Sequence, residues 1–280
     1  MSSTQAIPDL RARWAQQELR VRAFELAAEI LIRAGVPIIP VKGIALARWL
    51  YADVIERPMT DVDLFVPRNA WTTACRALAA GREVLYDSSE LRELTVRVEG
   101  VSVELHGEVG RRELTRLSVD EMIARSTLDT ESFRFPVLRL DDIDHLVLVV
   151  CNAIKDGFVF AQPHVPGDLE RLLERTSSRM PILLERVREA GIGTGLYCTA
   201  EWMVEEHGSV SWRGLQQRLG LPPRPGHVRL IRAFRRSRRP TWAVAVVLGC
   251  LTNDVAALRW RATLRIAVRN AVKLVGRTPP

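Results

Sequence analysis

The sequence has few cysteines and histidines, and it has no apolar run of membrane-spanning length. Its four cysteines occur singly, without a C-x-x-C pair, and its five histidines are equally dispersed. This spacing fits neither a disulfide framework nor a zinc site. The longest apolar run, Trp242–Leu251, has about half of the roughly 20 residues that cross a bilayer. We therefore predict a buried helix at that position and no transmembrane segment.

Export signals, repeats and low-complexity segments are also missing from the sequence. Charged residues begin at Asp9, and no apolar run of signal-peptide length lies near them. No segment repeats at a fixed period. Of the 280 residues, 47% are hydrophobic and 26% are charged, which is ordinary for a folded globular protein. These features favour a cytoplasmic protein with one large domain or two ordinary ones.

Positive charge is concentrated at the C-terminal end of the sequence. The chain carries a net charge of +7, but residues 221–280 contain 13 Arg or Lys and one acid, a balance of +12, so residues 1–220 carry −5. The basic residues form a dense cluster and a four-residue periodicity: Arg232, Arg235, Arg236, Arg238 and Arg239, then Arg261, Arg265, Arg269 and Lys273. This basic C-terminal helical segment either contacts an anionic partner, such as nucleic acid, an acidic peptide or lipid, or forms the solvated face of a packed helix.

Apolar periodicity divides residues 1–220 into three parts. Residues 1–34 carry one long amphipathic helix that is predicted to pack on the core and to end at Gly35. Residues 35–140 alternate strands and helices, and a hairpin is predicted to turn at Glu99 and Gly100. Residues 141–220 consist of helical patterns separated by prolines and glycines. The predicted fold class is α+β, an α/β domain with a mixed sheet followed by an all-α helical domain.

Two aspartates lie one residue apart in "RPMTDVDLFV", a stretch that otherwise has the composition of a buried strand. Side chains alternate along a strand, so Asp61 and Asp63 share one face. Adjacent carboxylates repel each other, and a divalent cation such as Mg²⁺ is the common remedy. The later strand "VSVELHG" puts Glu104 and His106 on the face opposite its apolar residues. If that strand lies beside the first, Glu104 completes a three-carboxylate metal site.

A phosphate-binding turn is predicted upstream, in "VKGIALARWL". Gly43 lies at the junction of a strand and a helix, where a glycine lets the backbone approach a phosphate and the helix amides offer donors. Lys42 adds a point charge, and Arg57 adds a rigid donor fork. The turn and the aspartates together predict a site for a phosphorylated ligand and a metal.

Each of these features also has a plainer interpretation. A lone D-x-D pair occurs at strand ends capped by solvated aspartates, in calcium loops and in metal-dependent glycosyltransferases. Lys42 can be a solvated residue at a strand end, and Arg57 can pair with one of the aspartates. A lone histidine such as His106 is more often a structural residue than a site member.

Taken together, these stretches resemble a known family. "VKGIALARWLYADVIERPMTDVDLFV" and "VSVELHGEV" follow the pattern K-G, then R-x-x-x-D-[IV]-D-[LI], then a strand with [DE]-x-H. This pattern is typical of the bacterial uncharacterised nucleotidyltransferases, which are related to DNA polymerase β, and the resemblance covers about residues 30–170. Two positions differ from the commoner superfamily pattern, since K-G replaces G-S or G-G and Glu104 stands where aspartate is commoner.

The resemblance implies a polymerase β-like domain that moves a nucleoside monophosphate from an NTP to an acceptor with release of pyrophosphate. It implies that Asp61 and Asp63 bind two Mg²⁺ ions and that Glu104 is either the shared ligand or the general base. The residues implied in nucleotide binding are Lys42, Gly43, Arg57, His106, Lys155 and Asp168. In such proteins the helical domain, here with Lys155 and Asp168, closes over the nucleotide. Asp168 can equally be an acid that the helix dipole favours in a first turn.

The acceptor is not determined by the sequence. Relatives of this kind often accompany gene sets for modified peptides or surface polysaccharides, so the resemblance implies a peptide, a sugar phosphate or another small biosynthetic acceptor. A D-x-D glycosyltransferase needs a larger parallel sheet ahead of the motif, and only 60 residues precede Asp61. The remaining alternative is a non-catalytic member of the fold that binds a peptide or nucleic acid through its basic segment, and the intact acids argue against it.

Overall fold

The structure of the protein is a computed structural model, and the chain in it forms two compact units. It describes residues 10–109, 115–155, 162–222 and 224–237, with the backbone alone at 155, 234, 236 and 237. The first unit comprises the described residues up to Val109 together with Ser118–Asp141. The second unit comprises residues 115–117 and the described residues from Asp142 onward. The predicted buried helix Trp242–Leu251 lies outside the described residues.

The first unit consists of a mixed five-stranded sheet, a separate two-stranded ladder and four helices among its described residues. Its elements in chain order are α1 (Leu10–Arg33), β1 (Pro40–Val41), α2 (Lys42–Leu50), β2 (Val62–Phe65), α3 (Trp71–Ala79), β3 (Val84–Ser88), β4 (Glu93–Val98), β5 (Val101–His106), α4 (Val119–Ala124), β6 (Thr127–Asp129) and β7 (Val137–Arg139). The strand order of the larger sheet is β1-β2-β5-β4-β3. Within that sheet β2 and β5 run parallel, while the other neighbouring pairs are antiparallel.

The hairpin between β4 and β5 turns at the two predicted residues. Glu99 and Gly100 have φ values of +50° and +78°, which is the pair of left-handed conformations that a type I′ turn requires. This turn fixes the register, because Val98 pairs with Val101 and every pair toward the open end follows from it. Along β5, Val103 and Leu105 are buried while Glu104 and His106 are partly exposed on the other face. The predicted alternation of "VSVELHG" is therefore confirmed.

Helix α1 contributes to the core of the first unit. Its buried positions Val21, Phe24, Ala28 and Leu31 recur at helical spacing and belong to one cluster with the apolar side chains of β2, β4 and β5. Full burial of a side chain such as Phe24 contributes about 1.5–3 kcal/mol. The buried side chain of Gln17 accepts a hydrogen bond from the backbone amide of Met59 at 3.2 Å, so α1 also holds the segment that leads into β2.

Three local features differ from the expectations above. The apolar pattern of "VPIIPVKG" predicts a short buried strand, but its ladder is limited to Pro40–Val41, and the prolines in it lack the N–H that a longer ladder would use. The next helix starts at Lys42, two residues earlier than the apolar pattern indicates. The ladder of β6 and β7 was not anticipated, since each strand has only three residues and gives little periodic signal.

The described part of the second unit is helical. Its helices are α5 (Asp142–Lys155), α6 (Val165–Thr176), α7 (Met180–Ala190), α8 (Gly193–His207), α9 (Val210–Leu219) and α10 (Pro225–Ser237). The mixed sheet and this helical region confirm the predicted α+β fold class. Among the described residues, no helix combines the length and the apolar character that crossing a membrane requires.

Candidate metal and nucleotide site

The parallel pairing of β2 with β5 brings the central acidic residues together. Asp63 is directly beside Glu104 in the register, and Phe65 is beside His106. Because side chains alternate along β5, Glu104 and His106 lie on the same face of that strand. Ligand atoms of Asp63, Glu104 and His106 lie within 4.8 Å of one another, which is close enough for a single cation to contact all three.

Asp61 lies two residues before Asp63, at the start of β2, and belongs to the same electrostatic environment. It is partly buried. Burial, together with the negative charges of Asp63 and Glu104, raises the pKa of Asp61 above its ordinary value, against the opposing effect of Lys42. The predicted metal site consisted of Asp61, Asp63 and Glu104. Among the described residues, the group of ligand atoms that lie close together consists of Asp63, Glu104 and His106. Asp61 therefore lies near this group but outside it.

Asp63 carries two positively polarised partners on one oxygen. Its Oδ1 accepts a hydrogen bond from Lys42 Nζ at 2.6 Å and lies 2.8 Å from His106 Nε2. Burial opposes the charge on Asp63, but Lys42 and His106 outweigh that effect and hold the pKa of Asp63 well below its usual range. The carboxylate is therefore ionised at neutral pH, as a metal ligand must be.

The two partners of Asp63 respond in the opposite direction. Burial disfavours the charge on Lys42, yet its ion pair with Asp63 raises the pKa of Lys42 above the ordinary value. Burial and Lys42 lower the pKa of His106, but its hydrogen bonds to Asp63 and Glu104 outweigh them, so the pKa of His106 is raised. The lysine that was expected at a phosphate is thus also a counter-ion of the central aspartate.

The turn between β1 and α2 holds Lys42, Gly43 and Arg57 in a small space. Lys42 has φ +49°, a left-handed conformation that is uncommon outside glycine. A Cβ atom built on Gly43 would lie 3.2 Å from Cγ of Met59 and 3.4 Å from Nη1 of Arg57. Arg57 is buried, and its guanidinium packs against Gly43, the residue of α2 that has no side chain. This arrangement joins a guanidinium to the amides of a helix N-terminus, which suits an anion.

Glu93 is a further acidic residue at the site, and it was not identified from the sequence. It is the first residue of β4 and pairs with His106 across the hairpin. Its Oε1 lies 3.9 Å from His106 Nδ1, on the side of the ring away from Asp63. The hairpin register was the available signal, because a two-residue turn at Glu99 and Gly100 already pairs residues 93 and 106.

Lys155 and Asp168, the two predicted site residues of the helical region, belong to the second unit. Lys155 is the last residue of α5, and its side chain lies outside the described structure. Asp168 is buried in the first turn of α6 and is not the N-cap, which is His164. The role of these residues at the nucleotide stays a prediction.

The described part of the basic segment is engaged in ion pairs within the second unit. Nε of Arg232 lies 2.8 Å from both carboxylate oxygens of Glu201 on α8. The buried guanidinium of Arg235 pairs with Glu205 and lies 3.1 Å from Glu206. These contacts match the interpretation of a packed helix for these two residues, while residues 238–280 of the segment lie outside the described structure.

Carboxylates on two neighbouring strands lie beside a strand, a glycine turn and a helix, which is the arrangement that the sequence resemblance implied. The profile of the family described as "Uncharacterised nucleotidyltransferase" matches residues 4–205. The chain belongs to this family and is a nucleotidyltransferase, as the sequence motifs predicted.

Three solved structures are similar to the chain at low identity. A "tRNA-processing enzyme (apo form I)" has 16% identity and a TM-score of 0.28, covering 82% of this chain and 76% of its own. "Structure of tRNA-processing enzyme complex 3" has 14% identity, a TM-score of 0.27, and coverage of 86% and 90%. The "Thermotoga maritima CCA-adding enzyme complexed with tRNA_CCA" has 12% identity, a TM-score of 0.26, and coverage of 86% and 80%. No curated protein matches the chain significantly. TM-scores this low support no conclusion about an acceptor.

Proposed function

We propose that the protein transfers a nucleoside monophosphate from an NTP to an acceptor, with Mg²⁺ as the cofactor and pyrophosphate as the second product. The observation that carries this proposal is the pairing of Asp63 with Glu104 on adjacent parallel strands. Membership of a nucleotidyltransferase family supplies the reaction class. The protein is proposed to act in the cytoplasm.

The residues proposed to hold the metal are Asp61, Asp63 and Glu104, with His106 beside them. Carboxylates are the ligands that Mg²⁺ prefers, and the imidazole also suits ions such as Mn²⁺. The donor set therefore fits a divalent cation, and the family resemblance implies two. When bound, such ions neutralise phosphate charge and lower the pKa of an attacking hydroxyl.

The triphosphate is proposed to bind at the first turn of α2. Gly43 puts no side chain on the backbone there, the guanidinium of Arg57 packs against it, and a guanidinium is a donor group that suits phosphate oxygens. Both groups are held by the fold before the ligand arrives, because Arg57 is buried and its segment is bonded to α1 through Gln17. Fixed donors of this kind stabilise the charge that develops on the phosphates during transfer.

In the proposed reaction an acceptor oxygen attacks the α-phosphorus in line with the bond to the β-phosphate oxygen. The new O–P bond forms as that P–O bond breaks, and its electron pair leaves with pyrophosphate. The proton of the acceptor hydroxyl needs a base at the site. Glu104 is the proposed base, because 25% of its side chain is exposed whereas Asp63, with 5%, is enclosed by Lys42 and His106.

The acceptor class is proposed from the family resemblance as a peptide, a sugar phosphate or another small biosynthetic molecule. The test is to incubate the protein with Mg²⁺, each of the four NTPs and acceptors of these classes. Pyrophosphate release and the mass of the modified acceptor are measured together, so that NTP hydrolysis is distinguished from transfer. We expect Asp63→Asn and Glu104→Gln to lower the transfer rate at least about 100-fold, as expected when a group that stabilises the transition state is lost.

Ser102→Ala is the matched control, because Ser102 is on the same strand and the same face as Glu104, two residues away. This variant should keep the wild-type rate. Metal-dependent transfer that persists in both Asp63→Asn and Glu104→Gln would contradict the assignment of the site. Binding of an NTP without any release of pyrophosphate, for all acceptor classes, would favour the non-catalytic alternative.

A further inference from the structure

Lys42 occupies a position that a bound metal ion would also need. Its Nζ lies 2.6 Å from Oδ1 of Asp63, the residue at the centre of the group of metal-ligand atoms. His106 Nε2 approaches the same oxygen at 2.8 Å. An oxygen with two such neighbours has both of its lone pairs engaged.

The backbone makes this contact specific to Lys42. The residue is the first of α2 and follows β1, which is itself paired with β2 in a register that sets Val41 opposite Asp63. The left-handed φ of +49° at Lys42 is a strained conformation for a lysine, and a strained conformation persists only where the surrounding structure determines it. The lysine is thus aimed at Asp63 by the sheet, and it does not reach the aspartate by chance from a flexible loop.

We propose that Lys42 competes with the divalent cation for Asp63, and that a nucleotide triphosphate relieves this competition by drawing the lysine away. The inference rests on the proposed function for the identity of the nucleotide. It makes Lys42 the residue that couples the two ligands. The metal binds weakly while Lys42 contacts Asp63. The metal and the nucleotide each bind more tightly when the other is present.

Electrostatics favours the competition. A Mg²⁺ ion lies about 2.1 Å from a ligand oxygen, so an ammonium that stays 2.6 Å from the same oxygen is at most about 4.7 Å from the ion. Like charges at this separation in a partly buried site repel strongly, because little water screens them. Either Lys42 must therefore leave Oδ1 of Asp63, or the metal must bind without using that oxygen.

The nucleotide offers Lys42 a second partner within reach. Its side chain is 23% exposed, so Lys42 is not fully enclosed by the structure around Asp63. The adjacent first turn of α2, with Gly43 and Arg57, is the proposed place of the triphosphate. A triphosphate there presents negative charge beside Lys42. The lysine then forms an ion pair with the phosphate, and the metal takes its place at Asp63.

The proposal has a thermodynamic consequence that a simple phosphate contact lacks. Coupling between two ligands is reciprocal, so nucleotide must raise metal affinity by the same factor by which metal raises nucleotide affinity. Removal of the lysine charge should then have effects of opposite sign on the two ligands. Metal affinity without nucleotide should increase, whereas nucleotide affinity should decrease.

The experiment measures Mn²⁺ binding to the full chain by calorimetry, with and without a non-hydrolysable α,β-methylene NTP. We expect Lys42→Gln to increase Mn²⁺ affinity without nucleotide by about tenfold, within the usual range of coupling between sites. The glutamine amide can still donate to Asp63, which preserves the fold. Lys42→Arg, which keeps the charge, should behave like the wild type. Unchanged or weaker Mn²⁺ binding by Lys42→Gln overturns the proposal.

The control for net charge is Arg48→Gln, which removes one positive charge from an exposed position on the same helix. It should leave Mn²⁺ affinity unchanged. The complex that Mn²⁺ forms with the nucleotide in solution is the same for every variant, so it cancels when the coupling factors of wild type and Lys42→Gln are compared. Equal coupling factors in the two proteins overturn the role of Lys42 in cooperativity.

A measurement on the wild-type protein avoids any question of folding. The sequence contains only three lysines, Lys42, Lys155 and Lys273. Labelling with an amine-reactive ester, followed by peptide mass spectrometry, should show that Mg²⁺ increases the labelling rate of Lys42 several-fold while that of Lys273 stays constant. An unchanged rate at Lys42 overturns the competition.

These results are separable from the failure of the proposed function. If the protein binds no NTP and transfers no nucleotide, the proposed function fails, but the nucleotide-free Mn²⁺ and labelling experiments still decide whether Lys42 and the metal compete. If transfer is observed and Lys42→Gln binds Mn²⁺ no better than the wild type, the proposed function stands and this inference fails.

Discussion

Glu93 lies directly opposite His106 across strands β4 and β5, with its Oε1 3.9 Å from Nδ1 of the imidazole. The other ring nitrogen faces Asp63 and Glu104. Carboxylates therefore face both ring nitrogens, and the one on the Nδ1 side helps to hold the ring in the orientation that directs Nε2 toward Asp63 and Glu104. The geometry thus gives Glu93 a positioning role through His106.

We expect Glu93→Gln to weaken Mn²⁺ binding about 10-fold, because partners that orient a metal-ligating histidine typically contribute 10- to 100-fold to affinity. Isothermal titration calorimetry measures the effect directly. Glu83→Gln removes a carboxylate that pairs with Arg97 in the same unit and should have no effect. Equal affinities for Glu93→Gln and the wild type would show that His106 does not depend on this carboxylate.

This pair also shows how far the sequence determines the site. The two-residue turn at Glu99 and Gly100 was recognisable, and it alone fixes which residues of the hairpin face each other. The alternation of "VSVELHG" then places Glu104 and His106 on one face. The acids and the glycine turn could therefore be located because local rules, period two in strands and left-handed φ in turns, operate on adjacent residues.

Contacts that depend on packing between distant segments could not be predicted in the same way. The bond from Lys42 to Asp63 arises from the antiparallel pairing of β1 with β2, and β1 has only two residues. Likewise, Arg57 was expected to be a phosphate donor or a partner of an aspartate, and its burial against the first turn of α2 was not foreseen. No periodicity in the sequence encodes these distances, which follow from the tertiary arrangement.

Gly43 provides a test of the turn between β1 and α2. A methyl group at this position would lie 3.2 Å from Met59 Cγ, which must shift by a few tenths of an ångström, and 3.4 Å from Arg57 Nη1, which is van der Waals contact. Since Met59 is flexible, we expect Gly43→Ala to cost only about 1 kcal/mol in the free energy of unfolding. We expect a larger effect on function, a decrease of about tenfold in affinity for the NTP analogue, because the added carbon lies against the Arg57 guanidinium at the proposed phosphate position.

The matched variant is Gly214→Ala, which lies within helix α9 with nothing within 4 Å of the added carbon. Alanine is favoured over glycine in a helix interior, so this variant should increase the free energy of unfolding by about 0.5–1 kcal/mol and leave NTP binding unchanged. Urea unfolding and calorimetry distinguish the two outcomes. If both variants bind the analogue like the wild type, crowding at Gly43 has no effect on the nucleotide site.

Arg235 tests whether the described basic helix α10 is structural. Only 3% of its side chain is exposed, and its guanidinium contacts Glu205, Glu206 and Glu201. We expect Arg235→Met to lower the free energy of unfolding by about 2–4 kcal/mol, because buried Glu201 loses one of its two cationic partners. Arg229→Met, at an exposed position on the same helix, should change it by less than about 0.5 kcal/mol. Equal values for the two variants would contradict the structural role.

We expect Asp129 to make an acid-sensitive contribution to the stability of the first unit. Its Oδ1 accepts hydrogen bonds from the amides of Glu131 and Ser132 at 2.9 Å, and its Oδ2 accepts one from Trp49 Nε1 at 2.8 Å. Burial alone would raise its pKa, but a hydrogen bond from the Ser132 side chain, together with these bonds, outweighs burial and lowers the pKa of Asp129 to about 2. A group whose pKa is lower in the folded state contributes stability above its unfolded pKa and loses it as the pH falls.

The expected window follows from that sign. At pH 6 the ionised carboxylate should contribute at most about 2 kcal/mol, because it remains partly solvated, and this contribution should disappear between about pH 4 and pH 2. Asp129→Asn should therefore be less stable than the wild type in urea at pH 6, with a difference that shrinks as the pH is lowered. Asp53→Asn alters an exposed carboxylate that accepts a single amide bond and should show a smaller difference. A gap between Asp129→Asn and the wild type that stays constant from pH 6 to pH 3 would mean that the charge of Asp129 is not what its hydrogen-bond donors stabilise.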